Sequence, residues 1–490
     1  MMQGPQYKSP PLVERWPPRC PPYLDTNSVD DLLPYLEAVA KRTYSTGLWA
    51  AWDLKPGERV LLRVDNWHDP LCVEAAVKAI ENSGCTCDVI TDDLGPKPVY
   101  DGGHHEVEIW LARAKDLPKR LAQWEEYDKD LRYDKVLWDS GGPIPANTRV
   151  KFQRFPFITP EMVMTSANTI PTELIDAIDE WTWSRIRAAK LVHITDPEGT
   201  DLTYTNRDEY YDAKREYFNE KQVQIWYPHN VPYGRTYLSG HLWGKPNFLL
   251  PKGLEDGHGV IAGTANHIGP VEYIQLMVND SRITSIEGGG RFGDKLRAVM
   301  ERTKNVQFPH LPGKGQLYWW EASIGTNPKI HRPRKDFLTG RVTCIYERTR
   351  SGVIHIGFGT VTTSWPEMEA AQAQLGPGHF HVHLYFPTVT LDMLGGGKEV
   401  LIEDGHLLAL DDSEVRKVAA QYGDPDELLK EDWIPAMPGI NLEGDYFRDY
   451  ASDPMDWTMA ELHMCRKWHD LYMKMVTPAG AAAGHHGHHH

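Results

Sequence analysis

Between Gly378 and Pro387 the chain reads GHFHVHLYFP, and this stretch restricts the fold more than any other. His379, His381 and His383 alternate with Phe380, Val382 and Leu384, a period of two that only an extended strand turns into two coherent faces. One face is all imidazole. The other is apolar and requires a core against it. Imidazole is the commonest protein ligand for zinc and iron, and neutral imidazoles held this close suit a divalent ion. The alternative reading is a half-exposed strand whose polar face happens to be histidine.

The rest of the chain supplies a setting for that strand. Seven prolines fall within the first 22 residues, so 1–27 is an extended arm, a leader or a strap over a neighbouring surface. Ser28 is placed to cap a helix, with Asp31 at the capping-box position and Val29, Leu32, Leu33 and Leu36 as its apolar stripe. Strand-like Arg59–Val64, Cys87–Thr91 and Lys135–Asp139 alternate with helical Leu71–Asn82 and Leu117–Trp124, the pattern of a parallel sheet. After a helix over Thr172–Ala188 the character changes to short β runs and turns: Leu191–Thr195, Gly259–Ala262, Ile274–Val278, Ile283–Ile286, Val342–Tyr346, Val353–Gly357 and His379–Leu391. Residues 411–475 read as helical again. The expected fold class is α/β plus β-rich: an N-terminal α/β domain with a mostly parallel sheet over 28–190, then a C-terminal β-rich metal-binding domain with terminal helices over 191–475.

Composition removes several functions. Lys+Arg 52 against Asp+Glu 68 gives a net charge of −16, which argues against a nucleic-acid partner. No apolar run approaches the roughly 18 residues of a membrane span, and the first residues have no secretory h-region. No GxGxxG or Walker sequence is present, so a nucleotide cofactor is not expected. The six cysteines form no CxxC pair and are read as thiols of a reducing cytoplasm. Five of the 22 histidines lie in the tail AAAGHHGHHH; 476–490 is read as a probable tag and set aside.

Two further positions could join the histidine strand. His355 lies in Gly352-Val353-Ile354-His355-Ile356-Gly357-Phe358-Gly359, 24 residues before His379, at the distance of an antiparallel neighbour. A lone histidine in such a strand is more often a core residue, but a His-rich neighbour shifts the reading towards a ligand. Glu321 follows Trp319-Trp320 and is expected to be buried, hence matched by a metal, an arginine or hydrogen bonds.

Taken in order, Gly199-Thr200-Asp201-Leu202-Thr203, Glu321-x-x-Ile324-Gly325-Thr326-Asn327-Pro328, and Gly352-x-x-His355-Ile356 followed by a His-rich strand and Pro387-Thr388-Val389 resemble the aminopeptidase T superfamily. That group joins metallo-aminopeptidases to 2,5-dihydroxypyridine dioxygenases, which are mononuclear non-haem iron enzymes. His355-Ile356-Gly357-Phe358-Gly359 looks closer to the dioxygenase branch. In register with the family, a His-x-Asp falls on His379-Phe380-His381, so His381 replaces an acid. Pro251-Lys252-Gly253-Leu254 carries leucine where the peptidases have glutamate, although Glu255 and Asp256 follow.

A two-metal peptidase needs several carboxylates to hold two dications, and this chain retains Glu321. The resemblance therefore implies one metal, held by His355, His379 and His381: Fe(II) in a ring-cleaving dioxygenase acting on a small hydroxylated aromatic or heteroaromatic substrate with O2. His383 is the implied acid/base, Glu321 a base or fourth ligand, and Arg291, Trp320 and Tyr385 are candidates to hold substrate. The alternatives are an aminopeptidase or amidohydrolase using Zn, Mn or Co, and a non-catalytic metal-binding scaffold. A homo-oligomer is expected from the proline-rich arm.

Overall fold

The computed structural model describes residues 12, 15–43, 50–96, 101–139, 149–206, 241–243, 256–308, 311–338, 346–360 and 378–463. The first sheet is built from β1 (Arg59–Asp65), β2 (Thr86–Asp92), β3 (Lys135–Trp138) and β4 (Lys151–Gln153), in the order β2-β1-β3-β4, every pair parallel. Helices α1 (Val29–Lys41), α2 (Pro70–Asn82) and α3 (Glu106–Asp130) accompany it. Both faces of β1 are covered, as a parallel sheet requires. Val60, Leu62 and Val64 pack with Leu32, Leu36, Ala76 and Ile80, whereas Leu61 packs with Trp124, Val136 and Phe152. Helix α2 starts where Asp69 accepts a bond from the Leu71 N–H and Pro70 takes the first turn. Ser28 makes no such side-chain cap at α1; Thr26 instead donates to Asp31 at 2.5 Å, a correction to the expected capping box. The helix expected over Leu117–Trp124 is part of the longer α3.

Helix α4 (Thr172–Arg187) leads into β5 (Ala189–Thr195) and β6 (Asp201–Thr205). Then come β7 (His241–Trp243), β8 (His258–Ala265), β9 (Pro270–Asn279), β10 (Arg282–Gly288) and helix α5 (Gly290–Thr303). Strands β11 (Trp319–Gly325), β12 (Ile354–Gly359), β13 (His379–Leu384), β14 (Thr388–Met393), β15 (Lys398–Glu403) and β16 (His406–Leu407) complete the set. They form an eight-stranded sheet, β10-β9-β8-β6-β5-β14-β15-β16, and a four-stranded sheet, β13-β12-β11-β7, both antiparallel throughout. The α/β plus β-rich layout is therefore the architecture of the chain. The two antiparallel sheets share one core: Ile324, Ile356, Phe358, Phe380, Val382 and Leu384 cluster with Val192, Ile194, Leu202, Ile261, Leu276 and Leu391. Helix α4 adds Leu174, Ile175 and Ile178 to the same core.

Three local readings change. The run expected over His379–Leu391 is two strands in different sheets, because Pro387 has no N–H to donate and the Phe386 N–H goes to Asp196 Oδ2 at 3.2 Å. Residues 411–463 hold short helices separated by turns: α6 (Ser413–Ala419), a single turn over Pro425–Leu428, and a helix covering 454–463. Most of the strand expected at Val342–Tyr346, and the segment Pro251–Glu255, lie outside the described residues. The arm packs on its own chain: Arg19 bridges Ile434, and the Trp16 ring stacks on His406 at 4.7 Å. Cys20 is disulfide-bonded, which the cysteine spacing did not suggest, while Cys72 and Cys85 are buried. Among the described residues no helix is long and apolar enough to cross a membrane.

Candidate metal centre

Strand register assembles the site. In β12 and β13, His355 is opposite His383, Gly357 opposite His381 and Gly359 opposite His379; across β11, Ser323 is opposite His355 and Glu321 opposite Gly357. Directly opposed residues share a face, so one surface of the sheet carries Glu321, Ser323 and all four of these histidines. The reverse face is the apolar core already described. All six residues of β13 are buried, which removes the half-exposed reading of the histidine strand.

Gly357 makes the convergence possible. A Cβ built there would lie 2.4 Å from Glu321 Oε2 and 2.6 Å from His379 Cε1, so these two side chains meet over the space a larger residue would fill. Glu321 Oε1 is 3.1 Å from His355 Nε2, and Oε2 is 2.9 Å from His379 Nε2; Ser323 Oγ also donates to Oε1 at 2.9 Å. The ligating atoms of Glu321, His379 and His381 all fall within 4.8 Å of one another. Around an ion with bonds of about 2.1 Å, neighbouring donors stand roughly 3 Å apart, which is the spacing seen here.

His381 is oriented from behind. Glu106, the first residue of α3, accepts the His381 Nδ1–H at 2.7 Å and the His381 main-chain N–H at 3.2 Å. A carboxylate on Nδ1 fixes the tautomer and leaves the Nε2 lone pair for a metal. Nε2 is buried and has no hydrogen-bond partner among the described residues. Burial, followed by the nearby His379 and His355, holds this imidazole well below the usual histidine range, hence neutral.

His383, the expected acid/base, has its Nε2 engaged elsewhere. Its Nε2 lies 2.8 Å from His267 Nδ1, and its Nδ1 faces Glu347 Oε1 at 3.8 Å. His267 Nε2 in turn meets the Arg348 guanidinium. Arginine only donates, so His267 accepts at Nε2 and donates from Nδ1 to His383. The His267 ring lies face to face with His381, centroids 3.2 Å apart and 6° from parallel. The ligating atoms of His267, His355 and His381 also converge within 4.8 Å. With both its nitrogens committed, however, His267 is a wall of the centre.

The structure thus brings together Glu321, His355, His379 and His381, with His383 one step removed. Trp320 stacks on His379 at 4.5 Å and donates to the Gly359 carbonyl at 3.1 Å. Tyr385 is buried, its hydroxyl on Glu347 and on Arg332 Nη2. Arg291 lies elsewhere, exposed and 3.2 Å from Asp101 Oδ2. Asp256 is turned to the Thr205 N–H at 3.0 Å. Sequence reasoning missed Glu106, His267, Glu347 and Arg348. Of these only His267, in Asn266-His267-Ile268-Gly269, carries a signal: a histidine in a glycine-bearing turn between two β runs.

No protein-family model and no curated protein matches the chain. Among solved structures it is similar to a 2,5-dihydroxypyridine dioxygenase from Pseudomonas putida KT2440, at 15% identity and a TM-score of 0.43, over 80% of this chain and 100% of that one. It is also similar to wild-type AmpT from Thermus thermophilus, at 13% identity and a TM-score of 0.40, over 77% and 99%.

Proposed function

We propose that His355, His379, His381 and Glu321 hold a single transition-metal ion, and that the protein is a non-haem Fe(II)-dependent dioxygenase acting on a small hydroxylated aromatic or heteroaromatic ring. The observation that carries this reading is the donor set itself: three imidazoles around one carboxylate, with a second carboxylate, Glu106, spent on orienting His381. A pair of dications needs bridging carboxylates, and a nitrogen-rich set with a single acid suits one ion with open positions. Bound here, Fe(II) supplies a one-electron reductant for O2 and a Lewis acid for a ring hydroxyl. The chain supplies the rest. Glu321 brings two oxygens to the centre, one to complete the donor set and one to accept the proton that a ring hydroxyl loses. His267 and Trp320 close flat walls against the ligating rings, and His383 holds His267 in place.

The test is anaerobic reconstitution with Fe(II), followed by O2 uptake with dihydroxypyridines and catechols, in the parent and in the His379→Ala/His381→Ala double variant. One Fe(II) more in the parent than in the variant, with O2 uptake only in the parent, is the expected result. Amide cleavage with Zn(II) and no O2 uptake would assign a hydrolase on the same centre. Equal metal content in both proteins would end the assignment of these ligands.

A further inference from the structure

The turn Asp101-Gly102-Gly103-His104-His105 runs into α3 and takes no part in the centre just described, yet it gathers its own donors. Asp101 Oδ1 lies 2.5 Å from His105 Nε2, and Oδ2 lies 3.1 Å from His104 Nε2. The ligating atoms of the three residues all fall within 4.8 Å of one another. The backbone is pressed into this shape, since a Cβ at Gly103 would meet the Gly269 carbonyl at 2.4 Å and Asn266 Oδ1 at 2.5 Å.

A second observation points to a ligand. His104 is only 7% exposed, and its Nε2 faces the Asp101 carboxylate from inside the fold. His104 also lines a cavity of about 190 Å³ whose wall includes three carboxylates, Asp101, Glu272 and Asp453. Glu272 lies over the first turn of α5, where a Cβ at Gly290 would strike its carboxylate, so a free anion is not the natural occupant. The acids and the imidazole favour a cation.

We propose that Asp101, His104 and His105 form a second site for a divalent transition metal of the zinc class, open towards this cavity. Two imidazoles and one carboxylate are a common three-ligand set for zinc, with the remaining positions left to water or a further ligand. Two cations adjoin the donors, and one of them, Arg291, also lines the cavity. Arg291 Nη1 holds Asp101 Oδ2 at 3.2 Å and orients the carboxylate. Lys295 Nζ lies 3.1 Å from His104 Nδ1, but it also donates to the His104 carbonyl at 2.9 Å and pairs with Glu108 Oε1 at 2.6 Å. Lysine only donates, so His104 accepts at Nδ1 and carries its ring proton on Nε2; an ion at Nε2 would move that proton to Nδ1 while Lys295 stays anchored on the carbonyl and Glu108.

The test is Co(II) titration of chelator-treated full-length protein, read as Co(II) bound per chain and as visible absorption. The proteins are the parent, His105→Ala, Asp101→Asn and the His379→Ala/His381→Ala double variant. His105 is the first choice because its side chain is 42% exposed and its truncation leaves the core intact. All carry the same tail, whose histidines therefore cancel. Each outer variant should bind one Co(II) fewer than the parent while keeping the absorption of the buried centre, and the double variant should show the converse. Outer variants that bind as many Co(II) ions as the parent would overturn the proposal. A double variant that binds as the parent does would count against the buried centre and leave this site standing.

Discussion

Glu321 and Glu347 are both buried carboxylates on the histidine face of the same sheet, and their partners differ in kind. Glu347 faces a guanidinium: Arg332 Nε lies 2.5 Å from Oε2, and the Tyr385 hydroxyl donates to Oε1. Burial pushes its carboxyl up, but Arg332 and the bond from His383 outweigh this and hold it at about 2. Glu321 faces two imidazoles, one on each oxygen, and a serine hydroxyl. The first arrangement balances charge within the protein. The second gathers donors that a cation would share. One end of the histidine row thus meets an internally balanced carboxylate and the other a carboxylate among imidazoles, although both look alike as buried Glu–His pairs.

That contrast can be broken in four ways. The largest effect is expected from the His379→Ala/His381→Ala double variant, which should lose the metal of the centre and all activity that depends on it, as read by elemental analysis against the parent. Next is Arg332→Met. Leaving Glu347 buried without its guanidinium should cost about 3–5 kcal/mol of stability in denaturant unfolding, with metal content unchanged. If the metal were lost as well, the two ends would not be separate.

Glu106→Gln should weaken metal binding by roughly 10–100-fold in chelator competition, the usual effect of losing a carboxylate behind a ligating imidazole. The last concerns a pair of buried acids, Asp196 and Glu198, whose side chains accept only from main-chain N–H and hydroxyl groups among their hydrogen bonds: Glu198 N–H and Phe386 N–H on Asp196, Thr264 and Tyr446 on Glu198. Burial raises Asp196 to about 7 and Glu198 to about 8. The folded chain therefore holds protons that the unfolded chain releases near pH 4, so stability should fall as pH rises towards 8. Stability should therefore fall between pH 6 and 8.5, and Glu198→Gln should flatten the fall in thermal melts.

What could be read from the sequence was whatever repeats with a period. The alternation at 379–384 yields the strand, its two faces and the ligand side at once, and His355 follows because antiparallel neighbours are close in sequence. The βα alternation yields the first sheet in the same way. Glu106, His267 and Arg348 have no such pattern. Each is a single polar residue at a helix start or in a turn, and only the packing of distant elements shows which imidazole it meets. Arg291 illustrates the converse. A basic residue after a glycine run suggests an anion anchor, but its position on α5 takes it to Asp101.

The bond between Glu106 and His381 joins residues 275 positions apart. Contacts of that span close large loops and form after local ones. The sheet that presents the imidazoles can pair from neighbouring strands, whereas the group that aims His381 arrives only when the N-terminal α/β layer docks. If the proposed centre holds a metal, competence to bind it tightly should therefore mature late in folding, and metal uptake would time the docking of that layer.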